Sequence, residues 1–246
     1  MFSYLSNPWQ QIGLTLLLLI WAVLLFGGFI FGKEIEGRRI PVRMRLGSSL
    51  ALVIASFSWA WISQPYGSDV YTLLIAIGMT FGFLGDLFLA GVLTTSKKAK
   101  IGGIIAFAVG HLFYIAAIWN LGSQLGLNET TPRLSGLIVW WLIAILGWYF
   151  IVFRGSRTTT MHWVVLPYAL LLATTAGVAT GLALQDAAFW PLALGAALFL
   201  FSDTLIGGNW FNNLEFPLIH DLIWLTYGPG QMLIVFSAGA VIQQLL

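Results

Sequence analysis

The hydrophobic positions of this chain gather into runs long enough, at 1.5 Å per helical residue, to cross a bilayer core of about 30 Å. They lie at Ile12–Phe31, Leu46–Ile62, Tyr71–Leu93, Ile101–Leu121, Leu134–Phe153, Val164–Leu184, Trp190–Gly207 and Ile219–Gln243. The pattern predicts an all-α polytopic membrane protein, a bundle of about eight transmembrane helices making a single transmembrane domain over residues 1–246. The connections between runs are too short to be soluble domains. Whatever the protein does, the helices and their loops must do it.

The polar interruptions set the orientation. Lys33, Arg38, Arg39, Arg43 and Arg45 fall in the first connection, Lys97, Lys98 and Lys100 in the third, and Arg154 and Arg157 in the fifth; the even-numbered connections carry only Arg133. Short loops rich in Lys and Arg stay in the cytoplasm, so both termini are expected on the non-cytoplasmic side. Indole rings favour the headgroup level. Trp9, Trp59, Trp61, Trp119 and Trp190 fall at run ends assigned to the outer face, and Trp163 and Trp210 at the inner one. The segment Met1–Gln11 has no Lys or Arg and so lacks the basic start of a secretory signal, which predicts that the first helix is kept.

Composition narrows the chemistry. With 59% hydrophobic and 8% charged residues the chain is far from a soluble domain, in which about a quarter would be charged. There is no Cys, which excludes thiolate nucleophiles, disulfides and Cys-ligated zinc, and the formal charge of +2 is too small to suggest nucleic acid. His111, His162 and His220 form no HExxH or HxxxH pattern, and neither a phosphate-binding glycine loop nor a GxSxG elbow occurs. No metal and no cofactor is expected.

Two carboxylates then stand out, Asp86 in Phe83-Leu84-Gly85-Asp86-Leu87-Phe88 and Asp203 in Phe201-Ser202-Asp203-Thr204-Leu205. An ionised Asp at the centre of a membrane helix costs roughly 2.5–3.5 kcal/mol, and such residues mark functional sites by default. Counted from the cytoplasmic ends of their runs, Asp86 and Asp203 lie about 10 and 6 Å deep, His111 about 15 Å, and Tyr227 and Gln231 about 12 and 18 Å. Tyr114 follows His111 by three residues, Tyr168 lies near the inner end of the sixth run, and Asn209 just past the seventh. The rare polar residues thus share one layer. Asp221 and His220 are accounted for by the dipole at a helix start and a wet interface, and the basic loops chiefly by topology, with attraction of a lipid phosphate as a secondary role. Gly85 beside Asp86 admits either close helix packing or a lipid chain. A faint echo, Gly85-Asp86 against Ser202-Asp203 four helices later, points to a parallel duplication.

In order along the chain, Leu84-Gly85-Asp86, Gly110-His111-Leu112-Phe113-Tyr114, Pro167-Tyr168, Leu198-Phe199-Leu200-Phe201-Ser202-Asp203, Asn209-Trp210-Phe211 and Trp224-Leu225-Thr226-Tyr227 ending at Gln231 resemble the YhhN family of bacterial membrane proteins and its animal relatives, whose characterised members are lysoplasmalogenases. The resemblance runs from the third helix to the last. It implies hydrolysis of the vinyl-ether bond of a lysoplasmalogen to a fatty aldehyde and a glycerophospho-alcohol, with Asp86 and Asp203 catalytic; from the shared polar layer, His111, Tyr114, Tyr168, Asn209, Tyr227 and Gln231 are expected around the substrate. The expected partners are a lysophospholipid substrate and membrane lipids, and the expected location is a bacterial inner membrane.

The residues are compatible with that chemistry. Enol-ether hydrolysis needs an acid that delivers a proton to carbon and a carboxylate that steadies positive charge or activates water, the division of labour of glycosidases. Which Asp takes which role is open in the sequence. Paired intramembrane carboxylates also suit a proton-coupled carrier or lipid transporter, and a structural protein would use neither.

Overall fold

The computed structural model describes residues 2–34, 37–95, 98–154 and 159–246. Lys97 and Arg157, counted above among the basic loop residues, lie outside the described residues. Eight helices long and apolar enough to cross a membrane are present among the described residues: α1 Pro8–Phe31, α2 Val42–Ile62, α3 Asp69–Leu89, α4 Lys98–Gln124, α5 Thr130–Phe153, α6 Thr160–Ala183, α7 Ala187–Asn212 and α8 Ile219–Leu245. The protein is a helical integral membrane protein.

Several helix ends differ from the hydrophobic runs, for local reasons. Pro41, extended at φ −62° and ψ 147°, starts α2 at Val42 and draws Arg43 and Arg45 into its first turn. Helix α3 stops at Leu89 although Val92 and Leu93 are apolar, because Gly91 adopts φ 73°. The amides of Gly91 and Val92 then turn back to the carbonyls of Phe88 and Leu87, both at 3.0 Å, closing the helix with a glycine Schellman turn. Gly207 and Gly208 look like a stop signal but lie within α7, which ends at Asn213 with φ 49°. Their missing side chains let the end of α5 approach: a Cβ on Gly207 would sit 2.9 Å from Val152, and one on Gly208 2.9 Å from Ile151. As a result Asp86 stands three residues from the end of α3 and Asp203 nine from the end of α7. The two Asp thus lie at different distances from their helix ends, and what their side chains share is a cavity.

The packing order repeats. In the first half α1 packs on α2, α2 on α3 and α3 on α4; in the second, α5 packs on α6, α6 on α7 and α7 on α8. The halves join through α4 against α6 and α2 against α8, which are again equivalent pairs. Helices α1 and α5 lie at the periphery: 22% of the most apolar window of each is buried, against 44–67% in the other six. They present apolar side chains to lipid. Both also contain a π-helical turn, Val23–Gly27 in α1 and Trp148–Phe153 in α5.

The repeat reaches individual residues. Gly78 precedes Asp86 by eight positions and Gly195 precedes Asp203 by eight; each lies where its helix crosses the next one, at Gly110 and Gly230. A Cβ on Gly110 would lie 2.8 Å from the Gly78 carbonyl oxygen, and one on Gly230 2.8 Å from that of Gly195. Small residues let membrane helices meet backbone to backbone where lipid supplies no hydrophobic drive. The two crossings fix α3 on α4 and α7 on α8 in the same way.

At the end away from the basic loops, Trp9, Trp61, Trp119 and Trp190 are exposed, as belt residues should be. Trp59 is not one of them. It is 1% exposed and packs edge-on against Phe2 and Phe236, so its indole belongs to the core that joins the N-terminal segment, α2 and α8.

Candidate active site

Asp86 and Asp203 come from equivalent places in the two halves and line one cavity at the basic end of the bundle. Each is met by a hydroxyl from the preceding helix of its own half. Ser49 Oγ on α2 donates to Asp86 Oδ2 at 2.5 Å, and the Tyr168 hydroxyl on α6 donates to Asp203 Oδ2. The halves then diverge. Tyr227 on α8 donates to Asp86 Oδ2 at 3.0 Å, while Phe107, three residues before Gly110 as Tyr227 is three before Gly230, lines the cavity with a hydrocarbon ring. Ser202 Oγ reaches Asp203 Oδ1 only at 3.3 Å and donates more closely, at 2.8 Å, to the Phe199 carbonyl.

Behind Tyr227 runs a line of polar groups through an otherwise apolar interior. Gln231 Nε2 donates to the Tyr227 hydroxyl at 3.3 Å, and Gln231 Oε1 accepts from the Tyr114 hydroxyl at 2.7 Å. Pairing each group inside the core avoids the cost of burying it alone. The Tyr227 oxygen is thereby fixed with its proton directed at Asp86. Gln231 and Tyr114 act through Tyr227 and stand one and two hydrogen bonds behind the cavity wall.

The other expected site residues fall as follows. Tyr168 borders an apolar slot beside Asp203, and Asn209 lines the outer mouth, its Nδ2 donating to the Leu214 carbonyl at 3.2 Å. His111 is fully buried; its Nδ1 lies 2.8 Å from Thr175 Oγ1, tying α4 to α6, and its ring stands edge-on to Phe199 at 4.4 Å between centroids. Gly85 faces the ring of Phe107, which a Cβ would meet at 2.7 Å, so its small size serves the packing of α3 on α4.

Four residues that the sequence did not mark as site residues belong here. Ser49 is Asp86's shortest partner. Phe107 and Leu89 stand between the Asp cavity and the slot, lining both. Arg45, one helical turn before Ser49, lines the Asp cavity and the mouth and lies within electrostatic reach of Asp86. Each is of an ordinary residue type in an ordinary sequence context; only the start of α2 at Val42, which puts Arg45 and Ser49 at i and i+4 on one face, would have signalled the pair.

The cavities adjoin one another. A mouth lined by Arg38, Arg45, Lys100 and His220 shares walls at Leu89, Ile206 and Trp224 with the cavity of the two Asp, and on the far side of Asp203 and Phe107 lies an apolar slot. The slot is walled by Ala144, Trp148 and Val152 of α5, Ala169 and Leu172 of α6, and Leu200 of α7. Two of its α5 wall residues, Trp148 and Val152, belong to the π turn, a distortion often found at functional sites. Among the described residues no group of three or more His, Asp or Glu is placed to hold a metal ion. What the arrangement offers is two carboxyls between a cationic opening and a greasy pocket.

Residues 42–238 match the YhhN family. The chain belongs to the YhhN family. The match starts at the first residue of α2, so it takes in a helix for which the sequence motifs gave nothing beyond apolarity, and it leaves α1 outside. Comparison with curated proteins and with solved structures gave no match.

Proposed function

We propose that this YhhN-family protein is an intramembrane hydrolase that cleaves the vinyl-ether bond of a lysoplasmalogen, releasing a fatty aldehyde and a glycerophospho-alcohol. The observation that carries the reading is the pair of carboxyls lining one cavity between the cationic mouth and the apolar slot. A single-chain lipid is polar at one end and apolar at the other, and its reactive bond lies at the junction. In this reading the basic end faces the cytoplasm.

The surroundings of the two Asp support a division of labour. Asp86 accepts from Ser49 and Tyr227, and Arg45 lines the same cavity, so donors and a positive charge stand ready for a base. Asp203 opens onto the slot, where the alkenyl carbons lie. Asp203 delivers its proton to the outer alkene carbon, and the electron pair of the ether oxygen forms the oxocarbenium ion beside the Asp86 carboxylate. Water adds to the cationic carbon as Asp86 takes its proton. The hemiacetal collapses when Asp203 accepts its hydroxyl proton and Asp86 returns a proton to the departing glycerol oxygen. Both carboxyls end as they began.

The test is aldehyde release by the purified protein from a lysoplasmenyl lipid and from its saturated-ether analogue. Only the first is cleaved, and Asp86→Asn and Asp203→Asn each lose about 10²–10⁴-fold in rate, the usual worth of a positioned acid or base. Wild-type rates in both variants overturn the reading, and pH-driven lipid flux into liposomes without aldehyde would replace it with a carrier.

A further inference from the structure

We infer that Arg45 and Lys100, with Arg38 beside them, form a subsite for the phosphodiester of the lipid headgroup, so that the protein selects charged lysophospholipids over neutral glycerol ethers of the same chain. The inference rests on the hydrolase reading for the identity of the lipid but on separate residues for its content.

Arg45 is the central group. Its side chain lines both the mouth and the Asp cavity, its guanidinium lies 5.3 Å from the ring centroid of Trp224, and its buried Nε has no hydrogen-bond partner among the described residues. A buried donor left unpaired costs about 1–3 kcal/mol unless something accepts from it. Lys100 lines the same mouth with its Nζ held 4.5 Å from the centroid of Trp210. Arg38 lines it too, near enough to Arg45 for the two charges to repel.

The carboxylates nearby are already engaged. Asp221, 1% exposed, accepts from the backbone amides of Arg39 at 2.7 Å and Ile40 at 2.9 Å. Asp86 is held by Ser49 and Tyr227. Arg45 and Lys100 also occupy the first turns of α2 and α4, neither of which has an acidic residue there. The positive ends of two helix dipoles thus add to the side-chain charges, the reverse of what stabilises a helix and what an anion needs. Retention of positive loops at one face accounts for the number of basic residues at this end; it does not account for a guanidinium turned inward toward the reaction cavity. A phosphodiester accepting from Arg45 leaves the glycerol unit to bridge from the mouth to the two Asp, with the alkenyl chain in the slot.

The experiment measures binding apart from chemistry. Affinities of the full-length protein in detergent are compared for an uncleavable saturated-ether lysophospholipid and the alkylglycerol of the same chain, and kcat/KM for their vinyl-ether counterparts. The wild type is expected to favour the phosphorylated lipid about tenfold or more, the worth of one charged hydrogen bond, and Arg45→Gln and Lys100→Gln each to erase most of that preference. Lys100→Gln guards against a folding defect in Arg45→Gln, and Lys33→Gln, a basic residue that does not line the mouth, should keep the preference. Equal affinity for the two lipids in the wild type, or an undiminished preference in both variants, overturns the subsite while aldehyde release still stands. A phosphate preference lost in the variants, without any aldehyde release, supports the subsite and removes the hydrolase.

Discussion

Phe107 on α4 and Tyr227 on α8 hold equivalent places in the two halves of the bundle, their rings 6.0 Å apart and inclined at 78°, and only Tyr227 brings a hydroxyl to a carboxyl. Two Asp in matching positions are thereby made unequal. Tyr227→Phe removes one of the two donors to Asp86 and is expected to lower kcat for aldehyde release about tenfold, the scale of a hydrogen bond to a charged group, with little change in KM. Combined with Ser49→Ala, the losses should depart from additivity because both donors serve one oxygen. An unchanged rate in Tyr227→Phe would contradict the role given to it.

Chain-length preference should follow the slot. Ala169 lies on its α6 wall, and Ala169→Leu fills part of the space with a branched side chain. Rates with long alkenyl chains should fall severalfold while short chains are cleaved as before, because lost room penalises only the chain that needs it. Competition between a long and a short substrate in one reaction reads the shift directly.

The glycine crossings should be intolerant of a single methyl. Gly195→Ala places a Cβ 2.7 Å from the Gly230 carbonyl oxygen, a backbone atom that can yield only by moving α8 off α7. Overpacking of this kind costs about 1–3 kcal/mol, seen as a lower thermal midpoint in detergent. Gly13→Ala, where a Cβ would meet nothing within 4 Å, is the matched control and should leave the midpoint in place.

Asp221 should matter for the shape of the first connection. Asp221→Asn turns one acceptor of the Arg39 and Ile40 amides into a donor, which costs about 1–3 kcal/mol at a buried site. The expected signs are a fall in thermal midpoint and faster trypsin cleavage after Arg38 and Arg39. Equal cleavage of variant and wild type would show that the clamp does not hold this segment.

The helices were legible in the sequence because membrane spans are defined by length and apolarity, which need no partner to be seen. The Asp pair was legible for the same reason, as a charge is conspicuous against hydrocarbon. Ser49, Phe107 and Arg45 were not, since a Ser, a Phe and a loop Arg are common in any membrane protein and become notable only once the start of α2 and the contact of α3 with α4 are known. The sequence gives depth but not the face a residue turns: His111 shares the polar layer yet meets Thr175, and Trp59 sits at a helix end yet is enclosed. The duplication showed as two dipeptides; its stronger marks, the paired glycine crossings, were hidden because glycine is frequent throughout a chain with 27 of them.

Two halves that each supply one carboxyl, one hydroxyl donor and one glycine crossing amount to the layout of a two-fold dimer of four-helix chains, with the carboxyls meeting near its axis. Strict symmetry would oblige both acids to behave alike. Joined in one chain, the copies are free to drift apart, and the drift is written around the site. Beside Asp203 the equivalent of Tyr227 is a Phe, and a slot lies open. In the other half Leu25, from the π turn of α1, is wholly enclosed and seated against Gly228. In the hydrolase reading proposed above, that asymmetry leaves one acid with room for a hydrocarbon tail and one base without it.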